Sequence, residues 1–491
     1  MVLERVSISI LCFRFLYLSD IGLTDNCLDI SGYGLAKAVT QYWATRTSQQ
    51  DAELRVSCVY QALIDKHTKG RMSVTASTGI RWLKKLGFEW KEVRKGVYID
   101  GHEKPEVVFY RQQCFLPRWK ELEPRMPKWS SEGSLDQTPL PAGKRLLIPC
   151  AHDECTFHSN DGVHHRWVHK DKHLIRKKSK GQGLMVSDFI LPCHRLAMPS
   201  TIPLPSILAS RNMEPIPGLH INPRQATEYI KVGKGSWWKG DNLVDHVLNI
   251  AIPIFEATFP NAQALFLFDH ATSHTADAPD ALRASHMNMD PGGKQPYLRN
   301  GWYYELDGVT LHTQQMSFDA DDLSIPERWR GMPKGCKRVL QERGLWPQGG
   351  LRHDCKSKKD KQSKSHSSNS CCARRLLSVQ PDFLEQKSRL QEEIEKRGHL
   401  CLFFPKFHCE LNWIEYRWGR AKWFTRKHCQ YNWPSLVKTV PKALEEIPPL
   451  LLLKYWWKST RILDAYYNRL RYGTDQFTNV VYKSHRRVPL A

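Results

Sequence analysis

The pattern of apolar and polar positions changes character along the chain. Between Arg55 and Asp65 apolar residues recur at three- and four-residue steps, the period of a helix with one buried face. After a turn at Gly70, Ser73–Gly87 begins with a capping residue and ends at glycine. Ile80, Leu83 and Leu86 fall on one side of this second helix, and Ser77, Thr78, Arg81, Lys84 and Lys85 on the other. From Arg145 the pattern is that of strands. Arg145–Asp153 is an apolar run ending in aspartate. His164–His169 and Gly183–Leu191 follow, with turns marked by Gly162 and Gly181, which predicts a three-stranded antiparallel meander. Residues 192–235 read as an irregular insertion. Leu243, Val247, Ile250 and Ile254 predict a helix over Asp241–Phe259, and Ala264–Asp269 is a fully apolar strand ending in a second aspartate. Leu400–Phe404 predicts a short buried strand broken by Pro405. Asn412 then stands where it can cap a helix whose first turn carries Glu415, with Trp418, Ala421 and Lys422 on the same side.

A strand meander, a helix and further strands whose ends carry acids is the order expected of an α/β, RNase-H-like domain, a mixed sheet flanked by helices. The chain divides on this reading into an unassigned segment 1–50, a helix-turn-helix-like region 51–120 and a Pro/Ser-rich linker 121–143. The RNase-H-like domain follows over 144–430, with an insertion at about 285–395, and then a helical region with a basic tail, 431–491. The apolar start, Met1–Ser19, is interrupted by Arg14 and lacks a small-residue cleavage site; it reads as a core helix or as a segment foreign to the rest. The aromatics of Leu450–Leu470 read as core. Ser484–Arg487 is a basic tail suited to phosphate.

Charge sharpens the functional reading. The formal net charge is +22 over 491 residues, which points to a polyanionic partner, first of all nucleic acid. The helix pair at 55–87 is then either a DNA-reading helix-turn-helix or an ordinary basic hairpin. Fourteen cysteines without dense, regular spacing suit a reducing compartment. No apolar run is long enough to predict a membrane span. Asp153, Asp269 and Glu415, far apart in sequence but each at the end or start of an element, match what two-metal phosphodiester chemistry needs: hard oxygen ligands for two Mg²⁺ or Mn²⁺ ions on rigid elements. Taken singly, each acid could as well end or cap its own element. Glu154 is expected on the opposite face from Asp153. His152, His158, His164, His165, His169 and His173 crowd the first hairpin and are expected on its solvated surface. His274 could order the loop after Asp269 or touch phosphate. His353, Cys355, Cys371 and Cys372 flank a Lys/Ser-rich tract, 356–370, expected to be disordered. They form a candidate Zn²⁺ site whose spacing is no standard finger.

At these residues the chain resembles mariner-type DDE transposases, closest to fungal transposase-derived proteins. His152–Phe157 with Asn160–Gly162 resembles the first-aspartate block, Gly183–Val186 the strand after it, Phe268–His274 the second-aspartate block, and Glu410–Gly419 the block of the third acid. The likeness covers roughly residues 55–487. It implies an RNase-H-like fold, metal-dependent DNA strand cleavage and transfer by Asp153, Asp269 and Glu415, and double-stranded transposon terminal repeats as partner. Nuclear location and a homodimer go with it. The chain departs from the family at His270 (usually asparagine) and at Glu410 and Trp413 (usually aspartate and proline). The spacing from Asp269 to Glu415 is also much longer. Two alternatives stay open: a domesticated DNA-binding protein without catalysis, and a zinc-stabilised nucleic-acid-binding protein built on the insertion.

Overall fold

A computed structural model describes residues 99–129, 135–136, 139–162, 178–233, 238–305, 307–355 and 371–482. The expected helix pair at 55–87, with Ser77, Thr78, Arg81, Lys84 and Lys85, lies outside these residues. So do the strand expected at 164–169, the tract 356–370 and the tail 484–487.

Five strands form the central sheet: β1 (Leu146–His158), β2 (Gly183–Ile190), β3 (Glu228–Val232), β4 (Ala262–Phe268) and β5 (Leu400–Phe403). Their spatial order is β3-β2-β1-β4-β5. β1, β2 and β3 pair antiparallel, whereas β4 runs parallel to β1 and β5 parallel to β4. That order and those directions are the RNase-H-like arrangement expected from the sequence. The described meander has a member that the sequence reading did not place. Its third described member is β3, drawn from the stretch read as an irregular insertion.

Strand alternation divides the core. Leu147, Ala151, Cys155 and Phe157 of β1 face one hydrophobic layer, and Ile148 and Cys150 face the other. β4 is buried on both faces, Leu265 and Leu267 on the first side and Ala264, Phe266 and Phe268 on the second, which is why it reads as an unbroken apolar run. The second layer is covered by a long helix, α2, running through Gly240–His246, a π-helical turn Val247–Ala251, and Ile252–Thr258. A shorter helix, α3 (Arg389–Lys396), inserts Leu390 and Ile394 beside it. The first layer is covered by α4 (Trp413–His428), α5 (Trp433–Glu445) and α6 (Pro449–Tyr467). Trp456 and Tyr466 of α6 are buried, as expected of core aromatics.

Two boundaries move. Residues 116–122 form one helix, α1, which the reading above divides between the helix-turn-helix-like region and the linker. Leu116, Trp119 and Leu122 pack into the first layer with Phe115, so this segment belongs to the sheet domain. Pro117 stands in its first turn, where proline is compatible with a helix. The insertion is also narrower than 285–395, since α3 packs on the main sheet. Its own small core joins Met287, Leu298, Met316, Val339, Leu340 and Leu377.

Candidate active site

The register of β1 on β4 sets two of the acids side by side. Ala151 pairs with Leu267, and Asp153 and Asp269 each follow two positions later. Odd-numbered positions of both strands face the layer under α4, so the two carboxylates start from the same side of the sheet. Helix α4 supplies the third. Asn412 is its N-cap, but its side chain makes no capping bond; instead Nδ2 donates to the carbonyl of His152 at 3.2 Å. The helix start is thereby tied to the strand that carries Asp153. One turn on, Trp418 Nε1 donates to Asp153 Oδ2 at 3.0 Å. Asp153 is half-buried, and Asp269 and Glu415 reach solvent. The structure therefore brings the three acids of the sequence reading together.

The charges respond to this crowding. Loss of water raises the Asp153 carboxyl well above its ordinary range, and the neighbouring charges of Glu415, Glu154 and Asp269 raise it further. Glu415 is also raised, first by dehydration and then by Asp269, against the pull of Lys422 and of hydrogen bonding with Asp153. Asp269 moves the other way. Dehydration raises it, but His274 outweighs that and holds it ionised.

His274 was the residue the sequence underrated. It is buried, with Nδ1 2.6 Å from Asp269 Oδ1 and Nε2 3.2 Å from Glu154 Oε1. Burial works against its charge, yet hydrogen bonds and the charges of Asp269 and Glu154 lift its pKa to about 10. Glu154 lies on the face away from Asp153, as alternation demands, and also accepts a 2.7 Å hydrogen bond from Trp238 Nε1. His152 departs from the expected solvated surface. It is fully buried beneath the acids, 2.8 Å from Ser187 Oγ. Ser187 Oγ in turn meets His246 Nδ1 at 3.0 Å. An alternating strand places His152 inward, which the pattern of hydrophobic residues alone hid.

The family departures have structural roles. Glu410 is buried away from the acids, 2.6 Å from the Tyr466 hydroxyl and 3.0 Å from His102 Nε2. Trp413 fills the first layer, its ring centroid 4.7 Å from that of Trp456. His270 packs edge-on against Tyr110.

Elsewhere, Cys355, Cys371 and Cys372 come together, whereas His353 stands outside that group and places Nε2 3.0 Å from the Met287 carbonyl. No described helix is long and apolar enough to cross a membrane.

No family model matches the chain, and no curated protein matches it. Among solved structures it is similar to the Mos1 mariner paired end complex with Mn, at 9% identity and a TM-score of 0.40, over 84% of this chain and 77% of that one. It is similar to the Mos1 transposase paired-end complex with left transposon end at 13% identity and a TM-score of 0.26, over 44% of this chain and 52% of that one. For the Mos1 strand transfer complex the values are 13% and 0.24, over 44% and 51%. These three are structures of the Mos1 mariner transposase.

Proposed function

We propose that this chain is a DDE-type transposase or endonuclease that cleaves DNA strands and transfers them. One observation supports the reading: Asp153, Asp269 and Glu415 come together from two parallel strands and a helix, and their charges oppose one another there. Three hard oxygen donors under mutual repulsion fit divalent cations, which would relieve it. When bound, a pair of Mg²⁺ or Mn²⁺ ions supplies activation of the attacking oxygen and stabilisation of the leaving 3′-oxygen.

The chain's own residues set the stage for that chemistry. Trp418 fixes one oxygen of Asp153. Asn412 holds the Glu415 turn against β1. His274, itself braced by Glu154, keeps Asp269 ionised. Lys422, one face with Glu415, brings positive charge to where a phosphate would lie. The +22 charge suits duplex DNA, and transposon terminal repeats, a homodimer and a nuclear location belong to the same proposal.

The alternative, a transposase-derived DNA-binding protein without catalysis, is favoured by one feature. Asp269 Oδ1 already accepts from His274 and from the Ala271 N–H, so only its second oxygen is uncommitted by these bonds. The test is nicking of supercoiled plasmid with Mg²⁺ or Mn²⁺, beside Glu415→Gln and an EDTA control, together with calorimetric Mn²⁺ binding. Catalysis predicts metal-dependent nicking lost in the variant, and weaker Mn²⁺ binding by the variant. Nicking that survives Glu415→Gln would remove this site from the reaction.

A further inference from the structure

We propose that the insertion carries a structural zinc site formed by the thiolates of Cys355, Cys371 and Cys372. The inference does not depend on the function proposed above. The three sulfurs lie within 4.8 Å of one another. Cys355 Sγ and Cys371 Sγ are 3.4 Å apart, and Cys371 Sγ and Cys372 Sγ are 4.0 Å apart. A tetrahedral Zn²⁺ with bonds of about 2.3 Å sets its sulfurs about 3.8 Å apart. The two separations straddle that value and are far longer than a disulfide bond of about 2.05 Å.

The surroundings also suit a cation held by thiolates. Arg374, Arg375 and Asp354 share the cleft, and Arg374 pairs with Asp354 at 3.3 Å, so the single negative charge left by three thiolates around a divalent ion faces Arg375. The scaffold is fixed by backbone bonds on both sides. Ala373 N donates to the Arg352 carbonyl at 2.9 Å, and Arg374 N to the His353 carbonyl at 3.2 Å. Cys355 precedes the tract 356–370, and Cys371 and Cys372 follow it. A metal bridging them closes that tract into a loop and removes chain entropy from the unfolded state. The need for a staple is physical, because the insertion has only its own small hydrophobic core. A fourth ligand, water in the simplest case, would complete the tetrahedron.

The experiment is metal analysis of the full-length, untagged protein, purified under reducing conditions without chelator. The expected result is one zinc per chain, reduced at least fivefold in Cys371→Ser/Cys372→Ser and unchanged in Asp153→Asn. Because the double variant could fail to fold, wild-type protein is also stripped and refilled with Co²⁺. A thiolate-to-cobalt charge-transfer band at one equivalent supports the site. Zinc that persists in the cysteine variant, zinc lost in Asp153→Asn instead, absence of the cobalt band, or a Cys355–Cys371 disulfide found by mass spectrometry would each overturn it.

Discussion

Arg417 offers a quantitative probe of how the third acid is held. It sits two residues after Glu415 in α4, wholly buried, with Nη1 2.6 Å from Oδ2 of Asp188, which is itself wholly buried. Asp188 lies directly opposite Asp153 in the β1–β2 pair, so this ion pair seats the Glu415 helix on the strand beside the first acid. Breaking a buried pair by deleting one partner costs about 3–5 kcal/mol, because the other charge is left without compensation. Here the remaining support is partial. Asp188 keeps Arg195 at 3.3 Å, the Thr227 hydroxyl at 2.8 Å and the Phe189 N–H at 2.9 Å. Arg417 Nε and Nη2 meet no acceptor among the described residues, so removing them recovers ~1 kcal/mol of lost hydration. Arg417→Met should therefore destabilise by ~2–3 kcal/mol, below the usual range for a buried pair. Asp188→Asn, which strands Arg417, should cost ~3 kcal/mol or more. The double variant should cost less than the sum of the two by ~2 kcal/mol, the coupling expected of residues in contact. Urea unfolding followed by tryptophan fluorescence reads all three. A loss under ~1 kcal/mol for Arg417→Met, or strict additivity in the double variant, would refute the idea that this pair seats the helix.

Three further outcomes follow from the geometry and a fourth from the sequence. Asp153→Asn should raise the melting midpoint of metal-free protein by ~2 °C or more while abolishing cleavage. The folded Asp153 pKa is raised, so its ionised form destabilises as pH climbs above the unfolded value of about 3.9, and asparagine removes that penalty. His246, neutral and buried with a pKa lowered to about 3, contributes stability above its unfolded value of about 6.5 that is lost as pH falls toward 3. His246→Gln should therefore lose ~2 kcal/mol less than the parent between pH 6.5 and 5, read as a smaller shift of the urea midpoint. Gly335→Ala should destabilise the insertion by ~2 kcal/mol, because its new methyl would clash with the Met289 carbonyl oxygen and lie 2.6 Å from Asp290 backbone atoms; a thermal scan with unchanged midpoint would refute it. Arg81→Ala with Lys84→Ala should weaken DNA binding and flatten its salt dependence in a titration series.

The parts of the site legible in the sequence are those with local causes. β4 announces itself because burial on both faces leaves no polar position from Ala264 until Asp269. The α4 start is visible because polar residues separate it from β5. β3 escaped notice because it is a short edge strand, Glu228–Val232, whose Glu228 and Lys231 disguise the alternation around buried Tyr229. His274 could not be valued from its neighbours, since its second partner, Glu154, comes from β1, 120 residues earlier in the chain. The same holds for the insertion, where the wholly buried pair Arg343–Asp382 joins residues with no periodic relation.

The long spacing between Asp269 and Glu415 looks, in sequence, like the strongest objection to a common site. The fold removes the objection by pinning the insertion at its neck. Arg389 N at the start of α3 donates to the Ala276 carbonyl at 2.9 Å, and Leu282 N donates to Gln386 Oε1 at 2.9 Å. Arg299 bridges Asp280 at 2.7 Å and Glu392 at 2.5 Å, one carboxylate on each side of the neck. The chain thus leaves the sheet domain after β4 and re-enters at α3 within hydrogen-bonding distance of its exit. Loop closure cost grows only with the logarithm of length, so what lies beyond a closed neck adds little to the cost of pairing β5 with β4. β5 still runs parallel to β4, with Phe403 opposite Phe268, and the Phe404 N–H donates to the Phe268 carbonyl at 2.8 Å. The turn after β5 accordingly starts one residue from Asp269, and α4 enters from there with Glu415 already on the acid side. Sequence distance between the second and third acids therefore measures the size of the insertion and not the separation of the carboxylates.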